Sequence, residues 1–193
     1  LEVEEGTVFG LVGPNGPGKT TATRCFLGLL RPHRGRVTVF GEESVALSPE
    51  ARRRIGYFSE EPFPYDDLPI EDLLRFVSAF FPVWDWDRSR DLLDRMEVPR
   101  DRALREMSAG QQRRGELLLA LAPDPDLLVL DDPTAGLDVT VRRDFLKSAL
   151  ELAREEGKTV LFTSHVLTDV ERIVDTIGFL VDGAMKLVAP PTR

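Results

Sequence analysis

The sequence has little cysteine, no excess of positive charge and no long apolar run. Cys25 is the single cysteine among 193 residues, so no disulfide can form within the chain and nothing indicates an oxidising compartment. Lys and Arg number 25 against 33 Asp and Glu, for a formal charge of −8. That balance argues against a nucleic-acid partner, because a broad nucleic-acid interface needs a basic face. Any anion that the protein binds must therefore be held by a local arrangement.

No apolar run approaches the roughly 18 residues of a membrane-spanning helix, and no charged leader precedes an apolar stretch. We therefore expect a cytoplasmic location, with any membrane connection made through another chain. The sequence starts at Leu1 rather than at Met, which we take to indicate a fragment or a processed form of a longer protein. Neither an internal repeat nor a low-complexity tract is evident.

What is present is the composition of a folded, soluble protein, with 42% hydrophobic and 30% charged residues. The length suits one domain, or a domain with a small satellite. Short apolar strands alternate with helical patterns, which is typical of an α/β fold with a mostly parallel sheet. The predicted strands are 7–12, 36–40, 127–130, 159–162 and 176–181, and the predicted helices are 18–30, 138–155 and 166–174.

Two further regions depart from this alternation of strands and helices. Aromatic residues at helical spacing and repeated prolines predict a helical subdomain at 62–107, inserted between two parts of a catalytic core, 1–61 and 108–193. The stretch VDGAMKL predicts a two-stranded ribbon that turns at Asp182 and Gly183.

The stretch GPNGPGKT has the pattern G-x-x-x-x-G-K-[ST] of a phosphate-binding loop, and it lies between a predicted strand and a predicted helix. Glycines allow backbone N–H groups to point at phosphate oxygens, and the helix start adds partial positive charge. Lys19 would reach the β- and γ-phosphates, and the Thr20 hydroxyl would bind Mg²⁺. Pro17 has no N–H to donate, which weakens the loop only if that position faces phosphate. The predicted nucleotide-binding residues here are Gly13, Pro14, Asn15, Gly16, Pro17, Gly18, Lys19, Thr20 and Thr21.

A second constellation, LLVLDDPTAGLD, runs from an apolar strand straight into two acids. Asp131, at the carboxyl end of that strand, is placed to hold Mg²⁺ directly or through water. Because the chain turns there, Asp132 can reach the same crevice and orient a water molecule. The alternative for Asp132 is a turn-capping role before Pro133.

Together these motifs resemble the ATP-binding subunits of ABC transporters. MSAGQQRR (107–114) resembles the family's signature, TAGLD (134–138) its D-loop, the histidine of LFTSH its switch histidine, and IGYFSE (55–60) the segment that ends in the Q-loop glutamine. The stretches VFGLVGPNGPGKTT and LLRPHRGRVTVFG are most similar to the branch whose relatives export drugs, antibiotics or ions. By itself SAGQQ would indicate only an N-cap serine and a helix running to Ala122.

The resemblance implies a P-loop NTPase with a RecA-like, mostly parallel sheet, helices on both faces and an inserted helical subdomain. It also implies a head-to-tail homodimer, or a pair with a related subunit, that hydrolyses Mg-ATP to drive a separate integral membrane permease, which would hold the chain against the inner face of the membrane. The metal would be bound by Thr20, Asp131 and Glu60. Catalysis would involve Asp132, His165 and Glu60. The partner's nucleotide would face Ser108, Ala109, Gly110, Gln111 and Asp138.

Three residues depart from the family pattern. Glu60 stands in place of glutamine, Ala109 in place of glycine, and Asp132 in place of the catalytic glutamate, one methylene shorter. A misplacement of about 1 Å can cost roughly 100-fold in rate, so slow hydrolysis is expected. Two alternatives stay open. One is an ATP-gated dimerising module with little or no turnover, and the other is a non-transport relative acting on ribosomes or DNA, which the acidic charge disfavours.

Overall fold

The computed structural model describes residues 1–14, 16, 18–61, 63–171 and 173–191. Two residues of the predicted phosphate-binding loop, Asn15 and Pro17, lie outside the described residues.

The described residues form a six-stranded sheet and a separate two-stranded ribbon. The strand order in the large sheet is β4-β5-β6-β1-β7-β8, in which all neighbours are parallel except the antiparallel pair β7 and β8. The ribbon pairs β2 with β3. The strands are β1 (Val8–Val12), β2 (Thr38–Val39), β3 (Glu42–Glu43), β4 (Ile55–Phe58), β5 (Leu127–Leu130), β6 (Thr159–Ser164), β7 (Thr176–Val181) and β8 (Ala184–Ala189).

Seven α-helices are present in the described part of the chain, with 3-10 turns at Ser44–Ala46 and Leu104–Glu106. None of them is long and apolar enough to cross a membrane, as far as the described residues go. The helices are α1 (Lys19–Phe26), α2 (Pro49–Arg53), α3 (Ile70–Ser78), α4 (Trp86–Arg95), α5 (Ala109–Leu121), α6 (Val139–Glu155) and α7 (Leu167–Val170).

The sheet is buried on both faces because successive side chains of a strand point to opposite sides. In β1, Val8 and Val12 join the large core that includes apolar residues of α3, α5 and α6. Phe9 and Leu11 join a smaller core with Leu27 and partly buried residues of α1. Each fully buried large apolar side chain contributes about 1.5 to 3 kcal/mol. Helices therefore cover both faces, as the fold class predicted.

Several predicted elements are confirmed. Strands β5 and β7 have the predicted bounds, β1 and β6 match within one or two residues, α6 follows the predicted 138–155, and β7 and β8 form the ribbon that turns at Asp182 and Gly183. The division into a catalytic core and a helical subdomain stays a prediction; the described segment 63–107 contains α3, α4 and a 3-10 turn and no strand of the large sheet. The helix after Ser108 ends at Leu121.

Other predicted elements are wrong in extent or place. The strand at 36–40 shrinks to β2 and pairs only with β3, because Phe40 and Gly41 take positive φ angles of 52° and 81° and turn the chain back. The helix predicted at 18–30 stops at Phe26, since Gly28 at φ 69° closes its end. The helix predicted at 166–174 is only α7, because the chain must extend by Asp175 to pair with β1. Strand β4 was not predicted.

Candidate functional site

The glycine-rich loop connects the end of β1 to the start of α1 at the carboxyl edge of the parallel strands. The Gly13 amide donates to the Ser164 carbonyl at 3.2 Å. A Cβ at Gly13 would lie 2.1 Å from the Leu180 carbonyl oxygen of β7, so only glycine fits between the neighbouring strands. The loop is thereby fixed against β6 and β7 as it enters the helix.

Lys19 is the first residue of α1 and is buried, with 7% of its surface exposed. Its ammonium donates to the Gly13 and Pro14 carbonyls at 2.8 and 2.9 Å. Among the described residues no carboxylate pairs with it. Since a buried charge is normally paired, this cation is suited to an anionic ligand.

A cavity of about 320 Å³ opens beside this lysine. It is lined by Pro14, Gly16, Gly18, Lys19, Leu180, Asp182 and Gly183. The loop and the β7–β8 turn thus share one opening, and the sequence interpretation assigned no site role to Asp182.

The two acids after β5 point to different partners. Asp131 is 1% exposed, and its Oδ1 accepts from Thr163 Oγ1 at 2.8 Å and lies 3.4 Å from Thr20 Oγ1. The structure therefore brings together two of the three residues predicted to hold the metal, Thr20 and Asp131. The same Thr163 hydroxyl accepts from the Asp132 backbone N–H at 2.9 Å, so it ties both acids to β6.

Asp132 adopts φ 40°, a left-handed conformation that Asp tolerates better than most residues. Its Oδ2 lies 2.7 Å from His165 Nδ1, while its Oδ1 is buried without a partner in the described structure. When the carboxylate is ionised, Nδ1 carries the proton and donates to it. The neutral ring then offers Nε2 as an acceptor, and both nitrogens donate only in the protonated ring.

The remaining predicted residues are not gathered at this point. Glu60 is exposed, and its carboxylate has no hydrogen-bond or ion-pair partner among the described residues. Thr21 is exposed on α1. The structure therefore does not bring the Glu60 carboxylate into contact with Asp131, as a shared metal site would require.

The predicted partner-facing residues lie at two exposed helix starts. Ser108 caps α5 in a reciprocal box, since its hydroxyl accepts from Gln111 N while the Gln111 side chain accepts from Ser108 N. Ala109 is exposed and Gly110 half-buried. Asp138 caps α6 by accepting from the Thr140 and Val141 amides at 3.0 and 3.1 Å. These contacts are the helix-capping interactions that the residue types favour locally.

Two residues near the site have shifted pKa values. Burial raises the pKa of the Tyr57 hydroxyl in β4, and the nearby Asp131 charge adds to that shift. Burial also raises the pKa of Glu116 on α5, although the Arg113 guanidinium opposes the shift.

The residues present fit a magnesium nucleotide. Mg²⁺ prefers oxygen ligands and is usually held by one or two protein groups together with substrate phosphates and water. Thr20 Oγ1 and the Asp131 carboxylate supply such oxygens, and the orphaned Asp132 Oδ1 is available to accept from a water molecule. No cluster of three or more His, Cys, Asp or Glu side chains suited to a metal ion occurs among the described residues.

Comparison with known proteins shows which family the chain resembles. The family model described as ABC transporter matches residues 1–135. The chain is 34% identical over 186 residues to the ABC transporter ATP-binding protein YtrB of Bacillus subtilis (strain 168), covering 96% of this chain and 63% of the relative. It is 30% identical over 187 residues to the bacitracin transport ATP-binding protein BcrA of Bacillus licheniformis, covering 96% of this chain and 61% of that protein.

The fold is also that of a solved cassette. The structure of cbiO1 from Clostridium perfringens, part of the ABC transporter complex cbiONQ, superposes with a TM-score of 0.86 at 26% identity, covering 99% of this chain and 80% of that one. The chain spans less than two thirds of the length of the curated relatives YtrB and BcrA. With a matched family model, similar sequences and a shared fold, the chain belongs to the ABC transporter family, among its ATP-binding subunits.

Proposed function

We propose that the protein binds Mg-ATP, closes with a second ATP-binding subunit and hydrolyses the nucleotide to energise a separate membrane permease. In this proposal the chain is cytoplasmic and reaches the inner face of the membrane only through that permease. The similarity to a bacitracin transport protein favours the exporter branch. The observation that carries the proposal is the meeting of Lys19, the Thr20–Asp131 pair and the Asp132–His165 pair at one edge of the sheet.

Each group has a proposed task. Lys19 and the loop amides hold the β- and γ-phosphates, and Thr20 and Asp131 hold Mg²⁺, which withdraws charge from the phosphoryl oxygens when bound. Asp132 orients the attacking water, and His165 fixes the carboxylate by its 2.7 Å contact. Ser108, Ala109, Gly110 and Gln111, with Asp138, meet the partner's nucleotide as an anion at a helix start.

The exposed Glu60 takes part only if its loop moves when nucleotide binds. In the described structure its carboxylate has no partner. We retain it as a proposed ligand for the waters of Mg²⁺, a role that needs movement of the chain after β4.

A second candidate is an ATP-gated dimerising module with little turnover. The observation favouring it is that the short Asp132 side chain already uses Oδ2 on His165, which leaves only Oδ1 for a water molecule. Such a protein would close on ATP and remain closed, with nucleotide exchange rather than hydrolysis ending the closed state.

Phosphate release from Mg-ATP, measured alongside ATP-dependent dimerisation, separates the two candidates. Hydrolysis predicts steady release that Asp132→Asn lowers by at least about tenfold without weakening nucleotide binding, because the amide keeps the shape but loses the charge. Dimerisation without release over hours would favour the gated module. If Asp132→Glu leaves turnover unchanged, the short side chain does not limit the rate.

A further inference from the structure

Arg113 on α5 places one guanidinium where three segments around the proposed site meet. Its Nη1 donates to the Ser59 carbonyl at 3.5 Å, and its Nη2 to the Glu60 and Ala135 carbonyls at 3.4 and 3.3 Å. Only 14% of the side chain is exposed. The contacts join the helix that begins after Ser108 to the chain leaving β4 and to the chain leaving β5.

Those carbonyls belong to the backbone that carries the paired acids. The Asp131 amide donates to the Phe58 carbonyl immediately before Ser59, at 2.9 Å. The Ala135 amide donates to the Asp132 carbonyl at 3.1 Å. Arg113 therefore contacts the backbone segments that hold both acids, and in the described structure it contacts neither carboxylate.

The guanidinium is itself fixed from its own helix. Glu116, one turn along α5, pairs with Nη1 at 2.9 Å and is 7% exposed at its side chain, and the Phe58 ring lies beneath the guanidinium at 5.3 Å. A planar fork with five donors can serve a carboxylate and several carbonyls at once, which a lysine ammonium cannot do in the same geometry. An arginine at the surface would donate its hydrogen bonds to water and would not need such a network of protein acceptors.

We propose that Arg113 is a positioning residue that sets the distance between the start of α5 and the two acid-bearing segments. The inference rests on the proposed function, because α5 faces the partner's nucleotide while the acids face the chain's own. Without the Arg113 guanidinium, the start of α5 and the acid-bearing segments would each keep their structure but would be misaligned with each other. Turnover in the closed dimer would therefore fall, whereas the nucleotide affinity of the single subunit would not.

The test compares the full-length protein with Arg113→Met and with a matched control, Arg95→Met. Arg95 pairs with Glu155 across the surface at 2.6 Å, and in the described part of the chain it makes no hydrogen bond or ion pair with the loops at the proposed site. For each protein three quantities are measured: the midpoint of thermal unfolding, the Kd for Mg-ATP in the monomeric state, and kcat with KM for phosphate release.

We expect Arg113→Met to lower kcat about tenfold, because small misplacements of catalytic groups have effects of this size or larger, while the monomer Kd stays within about twofold. Arg95→Met should match the wild type in both. An unchanged kcat in Arg113→Met, or a loss of kcat that comes only with equal losses of Kd and melting temperature, overturns the inference. A wild type that binds no Mg-ATP refutes the proposed function instead, and the positioning role falls with it.

Discussion

Replacing Thr163 by valine tests whether one buried hydroxyl holds the two acids in place. Thr163 is fully buried, donates to Asp131 Oδ1 at 2.8 Å and accepts from the Asp132 amide at 2.9 Å. Valine has nearly the same shape, so Thr163→Val removes both hydrogen bonds without opening a cavity.

The cost can be estimated from the two bonds. A hydrogen bond to a charged group contributes about 1.5 to 3 kcal/mol, and a buried N–H left without an acceptor costs about 1 to 3 kcal/mol. Allowing for relaxation, we expect Thr163→Val to lower the free energy of unfolding by about 2 to 4 kcal/mol. In a chain of this length 1 kcal/mol shifts the melting temperature by about 2 to 4 °C, so a drop of roughly 4 to 16 °C is expected.

The assay is thermal unfolding followed by circular dichroism at neutral pH, with chemical unfolding in urea as a second measure. Thr163→Ser is the matched control, because serine keeps the hydroxyl and loses only a methyl group. It should lie much closer to the wild type than Thr163→Val does. If Thr163→Val melts within about 2 °C of the wild type, or if Thr163→Ser is as unstable as Thr163→Val, the hydroxyl does not support the acids and the reasoning is refuted.

Three further substitutions test other parts of the structure. Gly13→Ala should cost more than about 2 kcal/mol and abolish nucleotide binding, because the new methyl meets a β7 carbonyl at 2.1 Å; an ATP-binding variant of wild-type stability would contradict this. Arg88→Met removes a largely buried, bidentate pair with Glu156 and should destabilise by about 1 to 3 kcal/mol in urea titration, whereas Arg90→Met, from an exposed pair, should cost under about 0.5 kcal/mol. Burial raises the pKa of Glu116 above its ordinary value, so the folded state binds more protons than the unfolded state and stability falls as pH rises from the unfolded-state pKa through the folded-state pKa; Glu116→Gln should flatten this decline, and identical pH profiles would exclude it.

The sequence predicted strands β1, β5 and β6 well because they are apolar and each ends in a recognisable motif. β1 leads into the glycine-rich loop, and β5 ends at the paired acids, so local patterns and the three-dimensional edge coincide. Strand β4 was missed because its four residues, IGYF, are few and include a glycine. Its place at the edge of the sheet depends on pairing with β5, a contact between residues far apart in sequence.

The sequence predicted which residues lie near the site better than it predicted which side chains contact each other. The pairing of Thr20 with Asp131 follows from two motifs that meet at one sheet edge, and the prediction of nearby metal ligands agrees with it. The contacts of Thr163 and Arg113 carry no local signal, because a threonine in a strand and an arginine on a helix are ordinary residues. Glu60 illustrates the converse case: the motif identifies the residue, but it does not show that the side chain is exposed.

The most direct test of the nucleotide site is a calorimetric titration of the full-length protein with ATP, with and without Mg²⁺, in wild-type and Lys19→Met forms. The buried Lys19 ammonium, which pairs with no carboxylate in the described part of the chain, and the Thr20–Asp131 oxygens predict saturable binding that Mg²⁺ strengthens. Lys19→Met should weaken this binding by at least about tenfold, because it removes a positive charge from the phosphate-binding loop. Equal affinities for the two proteins, or no uptake by the wild type with Mg²⁺ present, would contradict the account.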